Sequence, residues 1–438
     1  MRQRHPATLP RMFLAAAAAV GFLTSSPAYP SGFQVMSQGA KASGMGLAFA
    51  GIADDPSAIF YNPAGLGWQK HFELYTGGAL LTRTDGGVTG LNPYPGEGVT
   101  ETIEKQWFLL PNVYAVVPLT GELNFGLGIF SQYGLGLRWN NPERWSGRFI
   151  SQNAVIKTVD LNPVFSYQLF PQLAIAAGAD VRFSKVQLER IQGAVDPFTG
   201  AFENVAKIKL NSDLLSNKGW GWNVGVMAKP FEALSIGAAY RSHIKVDYEG
   251  TAQFIQRPTG NPVFDSLVAA QLPTGEPPVQ TSIDFPASIN IGAGIHLPGG
   301  FLLGLEADWT QWSKFHDLNI VFPTLVGRDF DRITLWQDSW AYRVGVEKTF
   351  GPWAVRVGYY YDNTPQPTFD TGPLLSDNDR NVYSAGIGYN TEQFGLDVGA
   401  LLIKFRNRTV PPPMQTDQYF GVYSETALVL VGGLRVAF

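Results

Sequence analysis

Cysteine is absent from this 438-residue chain, which excludes thiol catalysis, disulfide staples and thiolate metal sites. Charge is scarce too. Asp, Glu, Lys and Arg make up 16% of residues and the net charge is −4, too small and too dispersed for a nucleic-acid partner. Histidine occurs five times, and His71, His243, His296 and His316 each stand alone without the His-x-x-x-His spacing of a metal site. There is no Gly-x-Ser-x-Gly elbow and no phosphate loop with Gly-Lys-Ser/Thr. Long apolar runs are missing as well: none is long enough and free enough of charge to cross a bilayer as a helix, which takes about 20 residues.

What is present begins with a leader. Arg2, Arg4 and Arg11 precede an apolar core from Met12 to Leu23, and Ser26-Pro27-Ala28 supplies small residues for cleavage. That order of positive, apolar and small predicts a signal peptide over residues 1–28 and an exported protein. Residues 29–70 are small and polar, lack sustained alternation, and read as a compact linker or plug. Within them Asp55-Pro56 resembles a helix start and Asn62-Pro63-Ala64-Gly65 a turn.

From residue 71 onward, alternation dominates. Leu173, Ile175, Ala177, Ala179, Val181 and Phe183 interleave with Ala174, Ala176, Gly178, Asp180, Arg182 and Ser184. Phe301 to Thr310 and Trp353 to Asp362 do the same, with apolar residues and aromatics on one face and Glu306, Asp308 and Arg356 on the other. In the last stretch, Thr426, Leu428, Leu430, Gly432, Leu434, Val436 and Phe438 form one uncharged face, and Arg435 is the only charge on the other. Successive strand residues face opposite sides, so this pattern fits a wall with lipid outside and a polar lumen inside, closed by the final strand. Very short links near residues 119–121, 170–171, 230–232, 298–300, 351–352 and 392–393 alternate with long ones at 84–104, 136–150, 191–217, 247–280, 317–332, 363–380 and 406–421. Tight periplasmic turns and extended external loops are the habit of outer-membrane barrels. The expectation is an all-β fold, a 14-stranded antiparallel transmembrane β-barrel over residues 71–438.

Two long links are unusually apolar. Residues 191–217 carry Phe198 and Phe202. Residues 247–280 carry Phe254, Phe264, Leu267, Val268 and Leu272, the last four at helical spacing. Such loops either pack on each other or form a greasy landing groove outside the cell.

Several segments resemble the FadL-type outer-membrane transporters of long-chain fatty acids and hydrocarbons. They are Gly32-Phe33-Gln34, Ala53-Asp54-Asp55, Asn62-Pro63-Ala64, Ser131-Gln132-Tyr133-Gly134-Leu135, Leu188-Glu189-Arg190 and Gly219-Trp220-Gly221-Trp222-Asn223. Tyr240-Arg241-Ser242, Trp309-Thr310-Gln311-Trp312-Ser313 and Asp377-Asn378-Asp379-Arg380 continue the match in collinear order to Phe438. The resemblance implies a barrel plugged by its amino-terminal segment, ligand capture among the external loops, transfer to a deeper pocket, and release through a side opening where the third strand is kinked. Carried over residue by residue, Phe33 matches the segment that blocks the pocket and Asn62, Pro63 and Ala64 the hatch motif. Ser131, Gln132, Tyr133 and Gly134 match the kink, where Gly134 is expected to take strand-breaking dihedrals. Arg190 matches a cation placed to meet a fatty-acid carboxylate, and bidentate pairing of that kind orients an acyl chain. An ion pair with Glu189 or a neighbouring strand is its plainer alternative. A second basic residue of the fatty-acid branch aligns close to Thr334, with Arg332 the nearest substitute, so a neutral hydrocarbon is the alternative ligand.

The sequence-based reading is a monomeric transporter of the bacterial outer membrane, not an enzyme, needing no cofactor or metal. Its partners are a hydrophobic small molecule and outer-membrane lipid, and its ligand residues are Arg190, Arg332, Phe198, Phe202, Phe264 and Leu267. A general porin and a barrel hydrolase are the rival classes.

Overall fold

The computed structural model describes residues 32–413 and 417–438, so the expected signal lies outside the described residues. Antiparallel strands close into a barrel of fourteen. The first seven are Glu73–Gly90, Trp107–Pro118, Leu123–Phe130 continued by Gly134–Arg138, Asn153–Phe170, Leu173–Val195, Lys218–Phe231, and Leu234–Arg241 continued by Ile244–Gln256. The eighth is Pro278–Phe285 continued by Ser288–Leu297, and Phe301–Thr310, Ser339–Phe350, Trp353–Asp362, Arg380–Asn390, Phe394–Phe405 and Gly421–Ala437 complete the wall. The last strand pairs along its whole length with the first, from Ala437 opposite Glu73 to Gly421 opposite Gly90, which leaves the sheet no open edge. Along each strand the alternation sorts side chains by solvent. Ile175, Val357 and Leu430 face outward at 42%, 55% and 41% exposure, whereas Asp180, Arg182 and Glu306 are buried in the lumen.

Residues 191–217 and 247–280 are not the loops that their composition suggests. The fifth strand runs on to Val195, a returning strand Phe202–Ser212 pairs with it, and the upper part of the seventh strand pairs with that one in turn. Lysines and other polar residues sit on this extension and mask the apolar alternation. Beyond it a helix, Pro262–Gln271, is capped by Asn261, whose side-chain oxygen accepts from the Val263 and Phe264 N–H groups. Residues 317–332 also hold structure: Asp317–Ile320 pairs with Phe330–Ile333 as a small separate hairpin.

Residues 32–68 descend through the lumen in short turns, Ala40–Gly44, Ala58–Tyr61 and Pro63–Trp68. At the short-turn end the Trp68 indole donates to the Pro171 carbonyl and the Lys70 ammonium to that of Gly121. Backbone meets backbone on the way down: a Cβ at Gly237 would lie 2.1 Å from the Ala50 carbonyl oxygen, and one at Gly345 equally close to that of Met45. Only glycine permits that approach. The Glu306 carboxylate accepts from the Phe49 and Ala50 N–H groups at 2.7 and 2.5 Å, which fastens the segment to the ninth strand. Around it the lumen is lined by buried ion pairs, among them Arg182–Asp160 at 2.7 Å, Arg241–Asp180, Arg343–Asp308, Arg356–Glu347 and Arg380–Asp362.

Candidate ligand cavities and the break in the wall

Two connected cavities lie above this polar layer. The inner one has an empty volume of about 890 Å³ and is walled almost entirely by carbon: Leu135, Ile156, Leu188, Leu210, Ile283, Leu318, Ile320 and Leu375 contribute. Phe33 closes its lower end. Its ring is fully buried, with Tyr133, Phe285, Trp312, Phe315 and Trp336 at centroid distances of 5.0–6.0 Å. Gly32 precedes it at φ +61°, and any Cβ there would strike Trp336 at 2.5 Å. The outer cavity, about 1260 Å³, opens towards the loops and shares Leu188, Leu210, Ile320, Arg332 and Leu374 with the inner one.

Arg190 lines the outer cavity. It makes no ion pair among the described residues. Glu189 pairs instead with Lys207 at 2.7 Å, and the Arg190 guanidinium lies 5.4 Å from the Phe330 ring centre. The expected Glu189 partnership is therefore absent, because strand neighbours face opposite sides of the sheet. Arg190 stands opposite Ile208, one inward step above the Leu188–Leu210 pair that separates the cavities. Arg332 sits at the junction, but its charge is taken: Asp417 holds it through two bonds of 2.8 Å and Asp370 through one of 2.9 Å. Burial pushes the Asp370 carboxyl above the usual range, against the opposing pull of Arg332 and the Trp336 indole. Thr334 lines the inner cavity with its hydroxyl committed to the Phe315 carbonyl. Of the loop aromatics, Phe202 lines the outer cavity and meets Phe149 edge-on at 5.1 Å. Phe198 and Leu267, exposed at 60% and 47%, line neither cavity, and Phe264 packs apart with Val205 and Val268.

Beside Phe33 the third strand is interrupted at residues 131–133. Below the break it pairs with the second strand, but above it Gly134–Arg138 pairs, among the described strands, with the fourth alone, and at its upper end the Arg138 carbonyl accepts from the Glu104 N–H. No residue from 131 to 134 has a positive φ, so the strand is not broken there by a left-handed glycine. Substitute partners build the break instead. Thr158 accepts from the Tyr133 N–H and donates to its carbonyl, Asp160 accepts from the Gln132 N–H, and Arg182 donates to the Gln132 side chain. The amino-terminal segment supplies the rest. Val35 donates to the Gln132 carbonyl at 2.6 Å, Gly134 to that of Phe33 at 2.8 Å, and the Gln38 amide to that of Ser131 at 2.6 Å. Asn62 meanwhile caps the turn Pro63–Trp68, accepting from the Ala64 N–H and donating to the Ala50 and Val226 carbonyls. The sequence reading missed the box of Phe315 and Trp336 around Phe33. Its one visible signal is the aromatic flanks of residues 317–332.

The family described as outer membrane protein transport protein (OMPP1/FadL/TodX) matches residues 21–438. A long-chain fatty acid transport protein of Escherichia coli O6:H1 is 25% identical over 405 residues, covering 86% of this chain and 88% of its own. A 47 kDa outer membrane protein of Pasteurella multocida is 26% identical over 84% of this chain and 86% of its own. Among solved structures, a Pseudomonas aeruginosa FadL homologue superposes with a TM-score of 0.78 at 20% identity, covering 93% of this chain and 100% of that one. The Pseudomonas putida toluene transporter TodX gives 0.68 at 16%, again over 93% of this chain and 100% of the other. With the closed barrel, these matches assign the chain to the OMPP1/FadL/TodX family of outer membrane transport proteins.

Proposed function

We propose that this protein takes up hydrophobic compounds, long-chain fatty acids foremost, by diffusion through a plugged barrel with a lateral exit. The observation that carries this reading is the stacking of a nearly all-carbon cavity on a lumen filled with backbone and ion pairs, beside a break in the wall. A greasy ligand finds no apolar path downward, since each buried Arg–carboxylate pair would have to be parted at a cost of several kcal/mol, about 3–5 by analogy with broken buried pairs. Sideways, the break leads to lipid. Ligand collects in the outer cavity, where Arg190 receives a carboxylate and the chain passes Leu188 and Leu210 into the inner cavity. Residues 29–70 act as the plug. Displacement of Phe33 and its neighbours frees the carbonyls of Ser131 and Gln132 and opens the exit. Partitioning into the membrane supplies the downhill drive.

A second ligand class has its own support. Arg332 is neutralised by Asp370 and Asp417, and among the described residues the inner cavity offers no free cation, which suits a neutral hydrocarbon. Catalysis has no comparable support: His243 is bound to Asp284, and no hydroxyl bonds to it among the described residues. Calorimetry on the purified barrel with a long-chain fatty acid, its methyl ester and toluene separates these readings. The fatty-acid reading expects tighter binding of the free acid than of its ester. Equal binding of acid and ester, with toluene also bound, moves the protein to the hydrocarbon class, and binding of none overturns the transporter reading.

A further inference from the structure

The outward face of the wall carries a feature that ligand passage does not use. On the fourth strand Lys157 follows Val159 and Leu161 on the same face. On the fifth, Lys185 follows Phe183 and Val181, and on the sixth, Lys218 follows Trp220 and Trp222. The two tryptophans are 66% and 51% exposed, as expected of aromatics at a membrane border. The three lysines thus end the outward apolar run on three adjacent strands, with Lys218 one outward position lower in register than Lys157 and Lys185. Lys157 is directly opposite Lys185, and Lys218 is opposite Phe183, which makes it the diagonal neighbour of Lys185. Those registers set the Cβ atoms about 5 Å and 7–8 Å apart, within reach of one another's long stems. Like charges directly opposite destabilise a sheet unless a counter-charge lies between them. Among the described residues none of the three makes an ion pair. On the seventh and eighth strands the outward carboxylates Asp247 and Asp284 already face Lys245 and His243.

We propose that Lys157, Lys185 and Lys218 form a site on the outer wall for the phosphate of an outer-leaflet lipid headgroup. Charge complementarity and the place at the end of the apolar run choose the occupant. A phosphate carries more than one charge and several acceptor oxygens, and a lipid whose chains lie on Val159, Phe183 and Trp220 brings its headgroup to the lysines. Gly134 is the register partner of Lys157 on its other side, so the bound lipid lies against the upper lip of the wall break.

The test is native mass spectrometry of the full barrel in detergent with bisphosphorylated lipid A and with the same lipid after phosphate removal. Folded protein is first identified by its heat-modifiable migration. Wild type is expected to retain the phosphorylated lipid selectively. Each lysine lost lowers affinity about fivefold, and Lys157→Gln/Lys185→Gln/Lys218→Gln together on the order of a hundredfold. Triple replacement by Arg is expected to restore binding, and Lys404→Gln, above the band on the thirteenth strand, to leave it unchanged. Undiminished retention by the triple Gln variant, or equal retention of the dephosphorylated lipid, overturns the site. Displacement of the lipid by a free fatty acid at the same lysines overturns the occupant, and reassigns the cluster to the departing ligand's carboxylate.

Discussion

Arg190 and Arg332 show how context decides what a guanidinium can do. Both line the cavities, yet Arg332 arrives with two carboxylates bound, whereas Arg190 has no ion pair among the described residues and lies over the Phe330 ring. A ligand carboxylate placed against Arg332 would meet Asp370 and Asp417 first, whereas at Arg190 it faces an uncompensated charge. Charge-assisted bonds contribute about 1.5–3 kcal/mol, so Arg190→Ala should weaken fatty-acid binding by at least about tenfold. Binding of toluene should be unchanged, because the inner cavity is untouched. Calorimetry on the two ligands checks both halves, and an Arg190→Ala barrel that holds the acid as tightly as wild type removes Arg190 from the site. From the sequence, Arg190 matches the family's carboxylate-binding cation and Arg332 is only the nearest substitute for a second one, with nothing to show that Arg332 is already paired. Asp417 is 85 residues from Arg332 and Asp370 is 38, and contacts between loops so distant leave no periodic trace.

At the scale of elements, the wall was legible and the break only half so. Period-two alternation and the six short turns are local signals, and the strands follow them closely. The location of the interruption at Ser131–Gly134 was expected from family resemblance, but its cause was not. Thr158, Asp160 and Arg182 stand in for the missing ladder from neighbouring strands, and the amino-terminal segment from about a hundred residues away. Composition likewise misassigned residues 191–217, since a strand above the membrane has no reason to be apolar outward. The shared hydrogen bonds couple two elements: the amino-terminal segment cannot leave without exposing the carbonyls of the break. Gln38→Ala removes the amide that serves both Ser131 and Val35 and leaves a buried carbonyl short of a partner, at a cost of about 1–3 kcal/mol. Faster hydrogen exchange should then appear in residues 32–38 and 131–134 together, with strands on the far wall unaffected. Acceleration confined to residues 32–38 would show that the two elements are not coupled.

For the whole molecule, the proposed function makes the barrel, the amino-terminal segment and the cavities one device for parting a greasy solute from water. Apart from the break in the third strand, the closed ladder satisfies the strand edges, and on the proposed function the ion-paired lumen bars the direct route and the apolar cavity stops at Phe33. On the proposed route, opening depends on a shift of the amino-terminal segment away from the third strand. Gln34 and Tyr133 face each other across an isolated antiparallel bridge, flanked by the bonds Val35 to Gln132 and Gly134 to Phe33. In such a non-hydrogen-bonded pair the Cα atoms are about 4.5 Å apart, within the span of a disulfide. Because the chain has no cysteine of its own, Gln34→Cys/Tyr133→Cys introduces the only thiols. Uptake of a labelled long-chain fatty acid into cells carrying this variant, oxidised and then reduced, tests the central claim most directly. Locking the bridge should abolish uptake while outer-cavity binding persists, and reduction should restore uptake. Equal uptake in the two redox states, with the disulfide verified, would contradict the account, since ligand would then cross without any movement of the segment.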